Sequence, residues 1–237
     1  MDEIVDVNTL FGPLPAASVD LAIETLLGQM AQRGVNAACT LSTLGLLLDP
    51  AVGNAATRAA CIDDTQLIPV ATLNPTMFFG DTAPLLRLPS EGFKLVRFFP
   101  HEQGWPLHYL PFHALLESLQ QTRLPVMINV SDCGDITALQ SYIGFYPTVI
   151  LAGVDADLLP EAIAVLRLQP GWMLETSRLL AIGSMKLIVD TVGGERLLFG
   201  SGAPAQSLAA SLNALNYAGL SSSVCRQILS ANARRIL

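Results

Sequence analysis

The stretch GFKLVRFFP, residues 92–100, carries the clearest fold signal in this chain. It is a short, almost continuously apolar run that Lys94 and Arg97 interrupt and Pro100 ends. Strands buried on both faces of a parallel sheet give runs of this kind, whereas half-exposed strands alternate between apolar and polar residues. The stretch therefore predicts a strand with two buried faces.

Seven similar runs occur along the chain, and longer amphipathic segments separate them. The eight predicted strands are Ile4–Asn8, Val35–Leu41, Leu67–Leu73, Phe93–Phe99, Pro125–Val130, Thr148–Val154, Trp172–Thr176 and Arg196–Gly200. The predicted helices are Val19–Arg33 (with Ser18 as its N-cap), Ala51–Cys61, Thr82–Leu88, Leu107–Thr122, Ile136–Phe145, Leu158–Leu168, Ser177–Val192, Ala205–Ala218 and Ser221–Ile236. This repeated α/β order favours a single (β/α)8 TIM-barrel domain, residues 1–237, over an open sheet.

Composition limits the partners that we expect. The formal net charge is −7 and the pI is about 4.8, so clustered positive charge for nucleic acid or anionic lipid is not indicated. Hydrophobic residues make up 51% of the chain and charged residues 14%, an excess that suits both a two-sided buried sheet and an oligomer contact. We expect a homo-oligomer that takes a small molecule and binds neither nucleic acid nor membrane.

The location is expected to be cytoplasmic. The four cysteines are scattered without a C-x-x-C pair, and the N-terminal residues lack a basic segment followed by an apolar one. Residues 136–154 carry no charge, but Gln140, Ser141 and Pro147 interrupt them. That pattern predicts a helix, a turn and a strand rather than a membrane-spanning helix.

Six segments, taken in chain order, resemble the amidohydrolase superfamily, in particular its amidohydrolase-related (amidohydrolase-2 type) branch of decarboxylases and lactonases. They are IVDVNTLFG (4–12), GFKLVRFFP (92–100), LPVMINV (124–130), VILAGV (149–154), ERLLFGSGAP (195–204) and ILSANARRIL (228–237). The resemblance covers nearly the whole chain. It implies a TIM barrel with its site at the C-terminal ends of the strands, and a hydrolase ancestry.

The chain departs from that family at the metal ligands. Metal-dependent members hold a divalent cation with two histidines of the first strand, histidines of the fifth and sixth strands, and an aspartate after the eighth. The matching positions here are Asn8, Leu10, Asn129, Gly153 and Gly202. A zinc site needs about four N, S or O donors, so we expect no cofactor and no metal at the inherited position. A separate site for a harder cation would draw on four carboxylates: Asp6, Asp132, Asp155 and Glu175.

The candidate catalytic residues are Arg97, His101, Asp132 and Glu175. Arg97 is an anion clamp in one interpretation and a buried partner of Glu175 in the other. His101 follows the fourth strand as a general base or as a solvated loop residue. Asp132 and Glu175 are the carboxylate bases, and Asp132 also fits a helix N-cap.

The candidate substrate-binding residues are Asn8, Asn129 and Ser201. Both amides stand at positions that point into the barrel in the family, where they would hydrogen-bond a substrate carbonyl or each other. Ser201 lies in FGSGAP, where the chain turns after the last strand. Cys133 is an alternative nucleophile, although no histidine is tied to it by sequence.

Two functions remain open at this level. The first is a vestigial or metal-independent hydrolase, with an ester or lactone favoured over an amide, or a small-molecule binder. The second is a non-catalytic pseudoenzyme that acts as an oligomeric scaffold or as the partner of an active homologue. Polar groups that converge at the barrel mouth favour the first, and a mouth plugged by Leu10, Phe11 and Phe99 favours the second.

Overall fold

The computed structural model describes residues 3–15 and 20–237, and within them eight parallel strands pair in chain order. The strands are Val5–Asp6 (β1), Ala37–Thr40 (β2), Leu67–Thr72 (β3), Leu95–Phe98 (β4), Val126–Asn129 (β5), Val149–Ala152 (β6), Met173–Glu175 (β7) and Leu197–Leu198 (β8). Each lies inside a predicted run and most are shorter than predicted. The predicted strand order is confirmed.

Backbone hydrogen bonds beyond the ends of β8 and β1 close the sheet into a barrel. Val7 N donates to Phe199 O at 2.9 Å, and Leu10 N donates to Ala203 O at 3.1 Å. A parallel bridge between Thr9 and Ala203 continues the same edge. The fold is therefore a (β/α)8 barrel, as the sequence predicts, and its mouth lies at the C-terminal ends of the strands.

Helices surround the barrel and occupy most of the predicted positions. The α-helices are Ile23–Arg33, Leu44–Leu47, Pro50–Cys61, Ala83–Arg87, Pro100–Gln103, Leu110–Leu119, Asp135–Ile143, Leu159–Leu168, Ser184–Val192, Leu208–Asn216, Ser222–Arg226 and Asn232–Ile236, and a π-helical turn Gln227–Ala231 joins the last two. The predicted cap Ser18 and first helical residue Val19 lie outside the described residues. In the part of the chain that the structure covers, none of these helices is long and apolar enough to cross a membrane.

One helix prediction is wrong at its start. The helix predicted from Ser177 begins at Ser184. The backbone N–H and the hydroxyl of Ser177 both donate to Glu175, which holds the first residues after β7 in a turn. Gly183, with a φ of 86°, then starts the helix. Leu44–Leu47 and Pro100–Gln103 are short helices that the sequence did not predict.

The core has two layers that meet at the strands. The larger cluster lies between the strands and the helices and includes Phe112 and Trp172. The second cluster fills the barrel and includes Leu95, Met127 and Ile150. Residues two apart on a strand share a face. Arg97, two positions after Leu95, and Asn129, two positions after Met127, therefore lie above this apolar layer, toward the mouth.

Candidate functional site

The guanidinium of Arg97, on β4, lies between two amide side chains at the barrel mouth. Its Nη1 donates to Asn8 Oδ1 at 2.6 Å, and its Nη2 and Nε donate to Asn129 Oδ1 at 3.0 and 3.2 Å. Arg97 is 5% exposed, and its guanidinium carbon lies 4.7 Å from the ring centre of Phe99. Three of the predicted site residues therefore form one connected group.

The partners of this buried cation are neutral. Among the described residues no carboxylate oxygen lies within 4.0 Å of the Arg97 guanidinium, so the direct pair with Glu175 that the sequence left open does not form. Burial lowers the pKa of Arg97 to about 10, although the negative charges of Glu175, Glu102 and Asp6 act in the opposite direction. The group thus remains a cation at neutral pH.

Glu175 connects to Arg97 through two intervening side chains. Its Oε1 accepts from Ser177 Oγ at 2.8 Å, and its Oε2 accepts from Ser177 N at 2.8 Å. Ser177 Oγ in turn accepts from Asn8 Nδ2 at 3.2 Å. A Cβ on Gly200 would come 2.1 Å from Glu175 Oε2, so a glycine there leaves room for the carboxylate. The result is a continuous path from Glu175 to Arg97 through Ser177 and Asn8.

A cavity of about 320 Å³ opens above this path. This volume is at the lower end of the range for small-molecule sites, about 300–1,000 Å³. The lining residues are Asn8, Arg97, Glu102, Asn129, Val130, Ser131, Gly153, Asp155, Ser177, Arg178 and Gln206. Most of them carry polar side chains, and Phe99 is buried beneath the mouth rather than in this lining. The mouth therefore has the converging polar groups that favour binding or chemistry.

Asp6 and Ser201 lie outside the cavity lining. Ser201 is fully buried, its hydroxyl donates to Asp6 Oδ2, and its backbone N–H donates to Asp6 Oδ1 at 3.1 Å. Asn8 N also donates to Asp6 Oδ1, at 3.0 Å. Burial raises the pKa of Asp6 to about 7, and the charge of Glu175 adds to that effect while the three hydrogen bonds oppose it. Ser201 thus joins β8 to β1 and does not line the cavity.

His101 and Asp132 also lie away from the cavity lining. His101 is exposed on the short helix Pro100–Gln103, and Asp132 is exposed after β5. Asp132 Oδ2 accepts from the neighbouring Ser131 hydroxyl at 3.1 Å. The turn before helix Asp135–Ile143 is held by the carboxylate of Asp135, which accepts from the backbone N–H groups of Ser131 and Asp132. The N-cap residue of this helix is Gly134, so Asp132 does not have the N-cap role that the sequence left open.

Five polar residues of the lining were not among the site residues predicted from the sequence: Glu102, Ser131, Ser177, Arg178 and Gln206. Ser177 and Arg178 follow β7 directly, so their position just after a strand was the available signal. Glu102 and Gln206 carry no such signal, because each lies several residues beyond its strand.

The residues at the mouth do not fit a divalent cation. Both amide oxygens at the inherited ligand positions accept hydrogen bonds from Arg97, and a resident positive charge repels a metal ion. A Cβ on Gly153, whose φ is +90°, would lie 2.6 Å from Val130 O. No cluster of three or more His, Cys, Asp or Glu side chains with metal-binding geometry occurs among residues 3–15 and 20–237, including the four carboxylates considered above.

A larger cavity of about 570 Å³ lies outside the mouth, between helices Pro50–Cys61 and Ala83–Arg87. Three of its charged groups, Arg58, Arg87 and Glu91, are paired with each other, and the carboxylates of Asp49 and Asp81 accept from backbone N–H groups. Glu91 lies 3.7 Å from Arg58 and 3.8 Å from Arg87. Both ends of the Asn54 amide are bonded to the Thr72 backbone. We therefore take the mouth, where donors remain open, as the candidate site.

Comparison with known proteins agrees with this architecture. The sequence profile of the amidohydrolase family matches residues 54–237, whereas no curated protein matches the chain. Three solved structures illustrate the shared fold. The 5-carboxyvanillate decarboxylase of Sphingomonas paucimobilis has 12% identity and a TM-score of 0.77, over 100% of this chain and 99% of that chain.

The probable 2-pyrone-4,6-dicarboxylic acid hydrolase of Acinetobacter baumannii, with citric acid bound, has 14% identity and a TM-score of 0.76, over 99% of this chain and 98% of that chain. The dihydroxybenzoic acid decarboxylase of a Polaromonas species, with bound manganese and an inhibitor, has 13% identity and a TM-score of 0.75, over 100% and 97%. Identities this low show the fold alone.

Proposed function

The chain belongs to the amidohydrolase family, and we propose that its barrel mouth binds a small organic carboxylate, or the carbonyl group of an ester or lactone, without a divalent cation. The observation that carries the proposal is the guanidinium of Arg97, fixed between Asn8 and Asn129 beside the mouth cavity. Arg97 takes the role of the cation in this site.

The hydrogen-bond count at Arg97 supports binding of an anion. An arginine side chain has five N–H donors. Three of them donate to Asn8 and Asn129, which leaves two without an acceptor among the described residues. A guanidinium with open donors, held by its neighbours and bordering a cavity, binds a carboxylate or polarises a carbonyl with little loss of side-chain entropy.

The same arrangement suits ester or lactone hydrolysis. Arg97 stabilises the negative charge that develops on the carbonyl oxygen when water attacks the carbonyl carbon. The attacking water loses a proton to Ser177 Oγ, and Ser177 passes its own proton to Glu175, 2.8 Å away. The bond to the leaving alkoxide then breaks, and Glu175 returns its proton through Ser177 to the alkoxide, which leaves as the alcohol. An ester or lactone is favoured over an amide because its leaving group needs less assistance.

The test is ligand binding in the presence of a chelator. Wild-type protein and the Arg97→Met variant are titrated with small carboxylates and screened against esters and lactones, with and without added zinc. We expect binding by wild-type protein that is unchanged by the chelator and lost in the variant. Binding or turnover that needs zinc, or that survives in Arg97→Met, would overturn the proposal.

The second candidate is a non-catalytic role as an oligomeric scaffold. Several large apolar side chains of the described residues are exposed, among them Phe79 at 92%, Ile182 at 106% and Tyr217 at 88%. Exposed apolar groups favour contact with another chain. A concentration-dependent oligomer without any Arg97-dependent ligand would favour this role over the first.

A further inference from the structure

We infer that the ligand of the mouth is an aliphatic acid with several hydroxyl groups, rather than an aromatic acid. This inference rests on the proposed function, because it takes Arg97 as the group that binds the carboxylate. It is carried by the remaining lining, which includes both hydrogen-bond donors and hydrogen-bond acceptors.

The lining has more hydrogen-bond donors and acceptors than one carboxylate group can pair with. Asn129 Nδ2 has no acceptor among the described residues, because only its Oδ1 is bonded to Arg97. The side chains of Arg178 and Gln206 have no hydrogen-bond partner within the described part of the chain. Asp155 uses Oδ1 to accept from the backbone N–H groups of Asp157 and Leu158, which leaves Oδ2 open.

An aromatic ring would fit this lining poorly. It would displace water from these donors and acceptors without replacing the hydrogen bonds, and each buried polar group left unpaired costs about 1–3 kcal/mol. Val130 is the one apolar side chain that we find among the described lining residues, and no aromatic side chain is among them for a ring to stack on. This lining is more polar than that of most small-molecule sites, in which apolar and aromatic side chains predominate.

The two lining carboxylates favour hydroxyl groups on the ligand. Two carboxylates, Glu102 and Asp155, border the same cavity as Arg97 and Arg178. Carboxylates accept hydrogen bonds, so they favour ligand hydroxyl groups and repel a second anionic group. A hydroxyl group can donate to a carboxylate and accept from an amide or a guanidinium at the same time. A chain of hydroxyl groups therefore matches the whole lining.

The experiment compares three monocarboxylates by calorimetric titration of the wild-type protein: gluconate, hexanoate and benzoate. Gluconate and hexanoate have the same number of carbon atoms and differ in their hydroxyl groups. We expect gluconate to bind at least about tenfold more tightly than either of the others. Equal affinities, or tighter binding of hexanoate or benzoate that depends on Arg97, would overturn the inference and leave the proposed function intact.

Two matched variants test whether a lining side chain recognises the hydroxyl groups of the ligand. Gln206→Met removes a lining amide, and Gln121→Met changes an exposed amide outside the mouth. The first should weaken gluconate several-fold and leave hexanoate unchanged, and the second should change neither. Loss of both ligands to the same degree in Gln206→Met would contradict the inference. Failure of all three acids to bind in an Arg97-dependent manner would overturn this inference, and the absence of any Arg97-dependent binding or turnover of an ester or lactone as well would overturn the proposed function.

Discussion

Two arginines at opposite ends of the barrel show how differently a buried cation can be used. Arg97 lies toward the mouth, and Arg196 lies just before β8, at the base. Burial lowers the pKa of both groups. Arg196 donates only to backbone carbonyl oxygens of its surroundings, whereas Arg97 donates to two side-chain amides and borders a cavity.

The contrast shows that removal from solvent alone does not identify a functional cation. Arg196 satisfies the carbonyl groups at the end of a helix, and such a bond stabilises the fold. Both guanidinium groups keep N–H donors without an acceptor among the described residues, but those of Arg97 border the mouth cavity, where a ligand can reach them.

The largest effect is expected on ligand affinity at the mouth. Arg97→Met should weaken the binding of a small carboxylate by roughly 100-fold, or about 2.7 kcal/mol, because two charge-assisted hydrogen bonds are lost. Calorimetric titration measures this change. The matched variant Arg196→Met, studied at a temperature where it is folded, should keep its affinity within about twofold; a loss equal to that of Arg97→Met would remove the distinction between the two arginines.

Substitution of Arg196, at the base of the barrel, should change the stability of the protein rather than its ligand affinity. Arg196→Met is expected to lower the free energy of unfolding by about 2–3 kcal/mol, because the carbonyl oxygens of Leu166, Gln169 and Trp172 lose their donor. Urea denaturation gives the value. An unchanged midpoint would show that solvent satisfies these carbonyl groups as well as the guanidinium does.

A side chain at Gly153, in the backbone of the mouth, should destabilise the protein. Gly153→Ala is expected to destabilise the protein by about 1–3 kcal/mol, because the residue has a φ of +90° and its new Cβ would lie 2.6 Å from Val130 O. Gly134→Ala is the control, since its φ is also positive, at +99°, but nothing lies within 4 Å of the added Cβ. A cost no greater than that of the control would show that the contact with Val130 is relieved by a small shift, and that a histidine could be restored there.

The last effect concerns the pH dependence of stability. Asp6 has a pKa raised to about 7 in the folded protein, so its protonated form is favoured on folding. The stability that this proton contributes is present below the ordinary pKa near 4 and is lost as the pH rises through 7. Wild-type stability, taken relative to Asp6→Asn, should therefore fall between pH 5 and 7 with a slope below about 1.4 kcal/mol per pH unit. Parallel curves for the two proteins would contradict this.

The fold was predictable because its signal is local. Each strand is an apolar run within a few residues of the sequence, and six segments that resemble one family in chain order supported the order of the elements. The resemblance also implied that Asn8 and Asn129 point into the barrel, whereas the role of Arg97 was left open.

The connections within the site were not predictable, because they join residues far apart in the chain. Arg97 meets Asn8 across 89 residues and Asn129 across 32. The sequence could place His101 directly after β4, but not the short helix on which it is exposed to solvent. Likewise, the hydrogen bond from Ser177 to Glu175 holds a turn after β7, so the helix that local periodicity predicts from Ser177 begins at Ser184.

The central claim is that the Arg97 guanidinium has taken the place of a divalent cation. Metal analysis of wild-type protein, purified without chelator and then equilibrated with zinc and manganese, tests it most directly. We expect far less than one ion per chain, with no further loss in the Asn8→Leu/Asn129→Leu variant. A stoichiometric ion in the wild-type protein that this variant loses would contradict the account.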